Sequence, residues 1–384
     1  MKKLNKIGIV CEYNPFHNGH KYHIDKIKEL YPDSMIILIM SGCFTERGEI
    51  SILNKWDKTR IALENNVDLV IEMPIFYSTN SADIFAYGAI KLMSYLEIDT
   101  IVFGSETNDI ELFNKIVDVQ LNDPSYDELV KDYMDEGNNY PTSMSRALYD
   151  ITNVKIINPN DLLALSYIKQ IRLQELNITP VSILRTNDYH NSDLNSNIVS
   201  ASTIRDLLNN NQPINNYVPN GVSECLIKDF KDNYFKLLKY KLINEIDELD
   251  KYVDVSEGLD NRIKKFILKV NSLDELIENI KTKRYTYNRL NRVFIHIITN
   301  MKKENIDTLR EINYIRVLGF NKIGKSYLKY LKELDCIPII TNYSQIDDSN
   351  LDYELRTTFI YNLITNQEYM NLVELKSIPI EKKD

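Results

Sequence analysis

The sequence predicts an α/β fold in which a doubly wound parallel sheet is followed by a mostly helical C-terminal domain. Three observations support this prediction. In the N-terminal half, short apolar runs alternate with amphipathic helical patterns, as buried parallel strands alternate with crossover helices. The first apolar run ends in a turn that contains Pro15 and Gly19 and leads into a helix. Residues 222–310 show only the helical period.

Each element follows from a local pattern. The predicted strands are apolar runs at 6–13, 34–40, 67–72, 99–103 and 180–184. The predicted helices have apolar residues at helical spacing, at 22–30, 55–64, 81–95, 161–176 and 202–208. Residues 107–150 are polar and helical, which indicates an insertion or a lid. This alternation is Rossmann-like, so we expect ligands at the carboxyl ends of the strands.

A domain boundary is predicted at residues 209–220, which hold six Asn and two Pro. Such a composition is typical of a linker. We therefore expect one domain over residues 1–208 and a second, mainly helical domain over 221–384. A chain of 384 residues has room for two domains at ~100–200 residues each.

Composition and charge exclude several classes of protein. The net charge of −9 argues against a surface that coats nucleic acid, although it allows a local basic patch. The four cysteines lack CxxC or zinc-ribbon spacing, so we interpret them as reduced structural thiols and predict no metal site. No apolar run reaches the ~18–20 residues of a membrane span, and the N-terminus does not resemble a signal peptide. We expect a cytoplasmic protein without membrane contact.

Three of the five histidines, His17, His20 and His23, follow the first predicted strand. A zinc ion could not easily collect all three, because on a helix His17 and His23 point ~120° apart. Histidines that only satisfy the backbone at a helix start would explain one of them but not three. We favour a phosphate site. Gly19 lets the backbone approach a ligand, the helix N-terminus attracts anions, and His17 and His20 share one face.

The sequence around these histidines resembles that of a known family. Glu-Tyr-Asn-Pro-Phe-His-Asn-Gly-His at 12–20 is similar to the opening of the bacterial tRNA-Met cytidine acetate ligase family, part of the HxGH nucleotidylyltransferase superfamily. Over essentially the full length, further segments match that family in order: 41–49, 55–56 with 59–60, 103–106, 159–161, Arg185 and 188–190. Cys11 replaces a more usual aliphatic residue, which costs little because Cys packs as a small hydrophobe.

This resemblance implies an enzyme that activates acetate with ATP as acetyl adenylate and then acetylates the exocyclic amine of the wobble cytidine of elongator tRNA-Met. His17 and His20 would be catalytic and would stabilise charge on the α-phosphate, while Mg²⁺ would be carried by the nucleotide. The implied ATP-binding residues are Val10, Cys11, Glu12, Tyr13, Asn14, Pro15, Phe16, His17, Asn18, Gly19, His20, Lys21, Tyr22, His23, Gly104, Asn160 and Arg185.

Three of these positions keep a plainer interpretation beside the implied one. Gly104 follows a predicted strand and is either a backbone contact of ATP or a simple turn glycine. Asn160 is an ATP contact or only a helix N-cap. Arg185 ends a predicted strand and grips a phosphate or carboxylate, or forms a surface salt bridge.

Four further residues are candidate phosphate contacts. Ser202, Thr203 and Arg205 open a helix and resemble the second phosphate motif of nucleotidylyltransferases, although they could simply cap that helix. Lys55 is a phosphate or acetate contact, or a solvated charge.

One basic segment stands out in the acidic chain. Residues 281–292 carry five basic residues and no acidic one, with tyrosines between them. Cations beside aromatic rings are typical of RNA-binding surfaces, whereas an isolated charge run is usually a solvated face. On a helix, Tyr285 would share one stripe with three of these cations. The predicted tRNA contacts are Lys281, Lys283, Arg284, Arg289 and Arg292.

Residues 319–326 match the P-loop pattern GxxxxGKS. No apolar strand that ends in Asp follows to hold magnesium, so we expect a chance match whose Lys322 and Lys325 add to the RNA-facing charge.

Two other functions remain open on sequence grounds. The same histidine motif serves small-molecule adenylyltransferases of coenzyme A or NAD biosynthesis, but these do not need a basic helical domain of this size. A non-catalytic RNA-binding protein could also retain a nucleotide fold. The sequence names neither the accepted carboxylate, nor the base of the acetyl-transfer step, nor the oligomeric state.

Overall fold

The computed structural model describes residues 4–185, 196–376 and 378–383. An eight-stranded sheet lies at its centre. The strands are β1 (Asn5–Cys11), β2 (Ser34–Ser41), β3 (Leu69–Met73), β4 (Thr100–Ser105), β5 (Thr179–Leu184), β6 (Ile315–Phe320), β7 (Ile339–Ile340) and β8 (Ile380–Glu381). They follow the order β5-β4-β1-β2-β3-β6-β7, and β8 pairs with β6.

Helices supply most of the remaining described structure. They are α1 (Asn18–Leu30), α2 (Lys55–Glu64), α3 (Ile75–Ser78), α4 (Ala82–Tyr95), α5 (Ile110–Asn122), α6 (Pro124–Asp135), α7 (Tyr140–Thr152), α8 (Pro159–Leu173), α9 (Ala201–Asn209), α10 (Lys231–Asn244), α11 (Leu259–Phe266), α12 (Leu273–Ile280), α13 (Tyr287–Ile298), α14 (Ile306–Leu309), α15 (Lys322–Leu334), α16 (Ser349–Ile364) and α17 (Met370–Lys376). In the described ranges, no helix is long and apolar enough to cross a membrane.

Strand β2 shows why the apolar runs form central strands. All of its residues are buried. Because side chains alternate across a strand, Ile37 and Ile39 enter one apolar core, whereas Ile36 and Leu38 enter a second core on the opposite face of the sheet. A strand covered on both faces needs apolar residues at every position, which is the continuous pattern that the sequence shows.

The parallel strands confirm the doubly wound prediction. From β1 the chain adds β2 and then β3 on one side, and β4 returns to pair with β1 on the other side, followed by β5. The strand order therefore reverses between β1 and β4. In open α/β sheets, ligands bind in the crevice at the carboxyl ends of the strands where this reversal occurs.

The C-terminal part is mostly helical, as predicted, but it also contributes to the sheet. Strand β6 pairs with β3 in antiparallel direction, and β7 and β8 pair with β6. The sheet is therefore mixed and crosses the predicted linker at 209–220. Gly319 lets β6 pack closely against α2, because a Cβ at this position would lie 2.5 Å from Thr59 Cγ2. The division into domains at 209–220 stays a prediction.

The P-loop pattern at 319–326 does not form a phosphate cradle. Its first glycine lies in β6, and Asn321 caps α15 by accepting hydrogen bonds from the Ile323 and Gly324 N–H groups. The same helix start packs against the backbone just before β3, since a Cβ on Gly324 would lie 2.1 Å from the Asp68 carbonyl oxygen. These amides are occupied and the space is filled, so the pattern is a chance match, as expected.

Candidate nucleotide-binding site

A cavity of about 330 Å³ opens where the strand order reverses. Its walls come from the ends of β1, β4 and β5, the starts of α1, α8 and α9, and the loop after β2. Among the predicted residues, it is lined by Val10, Cys11, Glu12, Tyr13, Asn14, His17, Gly19, His20, Tyr22, His23, Gly104, Asn160, Arg185, Ser202 and Arg205. Most of the sequence-predicted site therefore meets in one place.

The histidine pair forms a reciprocal cap at the start of α1. The His17 Nδ1 accepts a hydrogen bond from the Gly19 N–H at 3.0 Å, and the His20 Nδ1 accepts one from the His17 N–H at 3.2 Å. With both Nδ1 atoms accepting, each neutral ring carries its proton on Nε2. The two rings stack with their centroids 3.8 Å apart. The pair thus offers two adjacent N–H donors at a helix N-terminus, which suits phosphate oxygens.

The histidines of this site are held neutral. Burial lowers the pKa of His17 to about 3 and that of His23 to about 4, and the Arg185 charge acts in the same direction. Burial also lowers the pKa of His20 well below its usual value. Protonation of His17 or His20 would also break the cap, because the Nδ1 atoms accept backbone hydrogen bonds. The two rings therefore serve as neutral N–H donors, and the positive charge of the cavity comes from its arginines, Arg185 among them.

Phe16 packs against the reciprocal cap formed by His17 and His20. It is fully buried, its ring lies 5.6 Å from that of His20, and the Tyr13 ring lies 4.7 Å from both. Pro15 and Phe16 are thus scaffold residues rather than cavity residues. Asn18 and Lys21 also lie outside the cavity lining. Asn18 donates to the carbonyl oxygens of residues 197 and 216, and Lys21 pairs with Asp25 on the surface.

The β4 and β5 ends form the opposite wall. Gly104 brings the backbone close to Arg185, whose Cγ would lie 3.3 Å from a Cβ at this position. Asn160 donates to Glu106 Oε1 at 2.5 Å, and the same oxygen lies 3.4 Å from the Arg185 Nε. The fully buried Asp161 accepts from the N–H groups of residues 106 and 107 and so fixes the loop after β4. Asn160 is not the N-cap of α8, a position that Asn158 holds.

The start of α9 is the third wall. Ser200 is the N-cap and accepts from the Thr203 N–H, so Thr203 serves the helix and not the cavity. Arg205 donates to the Asn14 carbonyl oxygen at 2.7 Å and pairs with Glu49 at 2.8 Å. This arginine joins α9 to the turn after β1. The neighbouring segment 188–190, which matched the family pattern, lies outside the described residues.

The structure contradicts the prediction for Lys55. Its side chain is buried away from the cavity, with Nζ 3.0 Å from Glu72 Oε1 and 2.6 Å from Glu374 Oε1. Two carboxylates thus neutralise a buried ammonium and tie α2 to α17. The sequence could not predict this ion pair, because no local pattern around Lys55 indicates that Glu374, which is distant in the sequence, packs against it.

Two groups of cavity residues were not predicted from the sequence. Glu46, Arg47 and Glu49 lie in the loop after β2, inside a segment that matched the family pattern but was assigned no role. The second group is an apolar wall, which can receive a purine base: Phe85, Phe103, Leu163, Tyr167 and Ile183. In sequence these apolar residues look like ordinary core positions, and Phe103, although it opens the matched segment 103–106, was assigned no role of its own.

The basic segment differs from the predicted helical stripe. Helix α12 ends at Ile280 and α13 begins at Tyr287, so Lys281, Lys283 and Arg284 lie in the connection between the helices. Tyr285 is buried, and its hydroxyl donates to the Ser256 carbonyl oxygen. The physical reason is that Tyr285 anchors the connection and Thr286 caps α13.

The five cations are also unequal in exposure. Lys281, Lys283 and Arg284 are exposed, and Arg289 is half-buried over the Tyr285 ring. Arg292 is 14% exposed and donates to Glu46, a cavity residue. We therefore place Arg292 with the residues that position the cavity loop, rather than with the surface cations.

These features together define a nucleotidyl transferase. A family model described as HIGH Nucleotidyl Transferase matches residues 4–374. A Clostridium tetani protein named tRNA(Met) cytidine acetate ligase is 36% identical, over 95% of this chain and 96% of the relative. A Caldicellulosiruptor bescii protein of the same name is 38% identical, over 97% and 98%. The chain belongs to the tRNA(Met) cytidine acetate ligase family.

Solved structures agree with this assignment. The crystal structure of Thermotoga maritima TmcAL in apo form I is similar with a TM-score of 0.90 at 26% identity, and covers 99% of this chain and 100% of that one. The form of that protein bound with alpha-thio ATP is similar with a TM-score of 0.87 at 25% identity, with the same coverage.

Proposed function

We propose that this chain is an ATP-dependent ligase that adenylates acetate and transfers the acetyl group to the exocyclic amine of the wobble cytidine of elongator tRNA-Met. The observation that carries the proposal is the reciprocal cap of His17 and His20 inside the switch-point cavity. Two neutral rings with Nε2–H donors face a space where three structural elements end.

The cavity can place a nucleotide in one orientation. The apolar wall with Phe103 and Tyr167 receives the adenine, and the α1 start receives the phosphates. Acetate then attacks the α-phosphorus in line, a new O–P bond forms, and pyrophosphate leaves with its electron pair. His17, His20 and the helix amides stabilise the charge on the phosphate oxygens, and Arg185 adds a positive charge nearby.

In this scheme Mg²⁺ enters the site bound to the nucleotide. In the described part of the chain, no group of three or more His, Cys, Asp or Glu side chains is arranged to hold a metal ion. Within the cavity lining, Glu46 and Glu49 each pair with an arginine. The protein thus offers cations and N–H donors to the phosphates, and we place Mg²⁺ with the nucleotide.

The RNA-binding part of the proposal depends on the connection between α12 and α13. Lys281, Lys283 and Arg284 are exposed there, and α13 reaches the cavity through Arg292 and Glu46. A tRNA held by these cations would lie beside the residues that line the cavity. Phosphate contacts of this kind supply affinity without reading sequence.

Labelled acetate tests the proposal and separates it from its alternatives. The protein is incubated with labelled acetate, ATP and bulk tRNA, and the nucleosides are analysed by mass spectrometry. We expect label in N4-acetylcytidine, dependent on ATP. A small-molecule adenylyltransferase would leave the RNA unlabelled. For a non-catalytic RNA-binding protein, His17→Ala and His20→Ala would leave cellular function intact.

A further inference from the structure

Three carboxylates line the cavity among the described residues: Glu12, Glu46 and Glu49. Two of them are committed to arginines, since Glu46 pairs with Arg292 and Glu49 with Arg205. Glu12 forms no salt bridge within the described chain. It is half-buried, directly after the end of β1, and therefore remains open to a ligand.

Glu12 belongs to the cavity lining, and a backbone N–H holds one of its carboxylate oxygens. The Glu46 N–H donates to Glu12 Oε1 at 2.6 Å. Glu46 is itself held by the Arg292 Nη1, which lies 3.2 Å from both its carbonyl oxygen and its Oε1. Gly48 lets the same loop pack closely onto α13, because a Cβ at this position would lie 2.3 Å from the backbone nitrogen of Arg292. A chain of contacts thus runs from the basic segment to Glu12.

We propose that Glu12 is the general base of the acetyl-transfer step, a role that rests on the proposed function. The cytidine N4 attacks the carbonyl carbon of acetyl adenylate, so that an N–C bond forms and the C–O bond to the phosphate breaks. AMP leaves with the electron pair of that bond, and the N4 proton passes to the Glu12 carboxylate. The acetyl adenylate is formed from ATP and acetate, so this step needs no further reactant.

The charge environment supports this role. Burial raises the pKa of Glu12 to about 7, and the Glu46 and Glu49 charges act in the same direction. The Glu46 N–H and the Arg47 charge oppose the shift. Other titratable groups nearby are Cys11 on β1, Lys58 on α2 and Tyr167 on α8. A base whose pKa lies near the working pH exchanges protons most effectively.

The histidines are poor candidates for the same role. The pKa of His17 is about 3 and that of His20 is well below its usual value, and both Nδ1 atoms accept backbone hydrogen bonds. Their Nε2 atoms carry protons and serve as donors to phosphate. Acid–base work therefore falls to a carboxylate, and Glu12 is the one without an ion pair in the described cavity.

Glu12→Gln separates the two half-reactions. The amide oxygen can still accept from the Glu46 N–H, so the loop geometry is kept. We expect acetyl transfer to tRNA to fall roughly 10²–10⁴-fold, and to fall by far more than acetate-dependent ATP–pyrophosphate exchange. Glu12→Asp should restore part of the transfer, and Glu64→Gln, an exposed carboxylate on α2, should change neither.

The pH profile provides a readout that a structural role would not move. Single-turnover transfer by the wild type should rise with pH through an apparent pKa near that of Glu12, and the residual transfer by Glu12→Gln should be flat. Two results would overturn the role of Glu12. One is acetyl transfer by Glu12→Gln at the rate of the wild type. The other is a folded Glu12→Gln variant that loses ATP–pyrophosphate exchange as well as acetyl transfer. Absence of acetate-dependent exchange in the wild type would instead overturn the proposed function.

Discussion

Arg292 on α13 donates from Nη1 to both the carbonyl oxygen and the Oε1 of Glu46, each at 3.2 Å. This contact joins α13, which carries the C-terminal part of the basic segment, to the loop after β2 that lines the nucleotide cavity. The Nε of Arg292 is buried without a hydrogen-bond partner in the described chain, so the guanidinium faces the protein interior. Arg292 therefore acts on the cavity through Glu46.

This relationship predicts a difference between Arg292 and the surface cations. Arg292→Ala should lower acetyl transfer by about 10-fold or more, because the loop that holds Glu12 loses its tie. The salt dependence of tRNA binding should hardly change. Binding titrations at several salt concentrations check this, and a lower salt slope in Arg292→Ala would return Arg292 to the phosphate contacts.

The exposed cations should behave in the opposite way. Lys283→Ala combined with Arg284→Ala should weaken tRNA binding and lower the salt slope by about 2, because each of the two cations neutralises one phosphate. Acetate-dependent exchange should remain normal. The matched control is Lys115→Ala with Lys329→Ala, which removes the same charge from exposed positions on α5 and α15. Equal effects in both double variants would show a general influence of net charge instead of a binding surface.

His20 can be tested without removing its cap. Gln at the third helical position can still accept from the N-cap N–H, as His20 does from the His17 N–H. His20→Gln replaces the imidazole Nε2 donor by a differently placed amide N–H, so adenylation should fall by up to about 10²–10³-fold, the usual effect of losing one transition-state donor. Affinity for tRNA should stay the same. An unchanged exchange rate in this variant would remove His20 from the catalytic pair.

Glu354 predicts a pH dependence of stability. Burial and the Glu72 charge raise its pKa to about 8, from 4.5 in the unfolded chain. Between these values the unfolded state releases a proton that the folded state keeps, so this contribution to stability falls as the pH rises. Glu354→Gln still accepts from the Ile75 N–H, which donates to Glu354 Oε1 at 2.6 Å. The amide of this variant does not titrate, so its contribution to stability does not change with pH.

We therefore expect the wild type to lose stability relative to Glu354→Gln between pH 5 and 8, by at most ~1.4 kcal/mol per pH unit. Urea unfolding at both pH values measures the difference. A constant difference across this range would contradict the assignment.

Lys55 provides a stability test away from the cavity. Its ammonium is buried between Glu72 and Glu374. A buried charge that loses its only partner costs about 3–5 kcal/mol. Because Lys55 keeps Glu72, Glu374→Gln should lower the free energy of unfolding by less than that amount, measured by denaturant titration. The KM for ATP of the folded variant should stay unchanged. A raised KM would instead support the original prediction of a phosphate contact at Lys55.

Local patterns were sufficient for much of the fold and for part of the site. The strands β1 to β5 contain short, mostly apolar runs, and His17, Gly19 and His20 follow the first of them closely. Their meeting with Gly104 and Arg185 followed from the rule that parallel strands end at one edge.

The remaining features depend on long-range packing that no local pattern encodes. Strand β6 pairs with β3 in antiparallel direction, with Gly319 packed against Thr59 of α2. The Lys55 side chain is buried because it pairs with Glu374, which is distant in the sequence. Tyr167 resembles a core residue in sequence, and only the packed structure brings it to the cavity.

A crystal structure with a non-hydrolysable ATP analogue tests the central claim most directly. The account predicts the triphosphate at the start of α1, with phosphate oxygens within hydrogen-bonding distance of the Nε2 atoms of His17 and His20, and the adenine beside Phe103. A nucleotide bound at another surface, with this cavity unfilled, would contradict it.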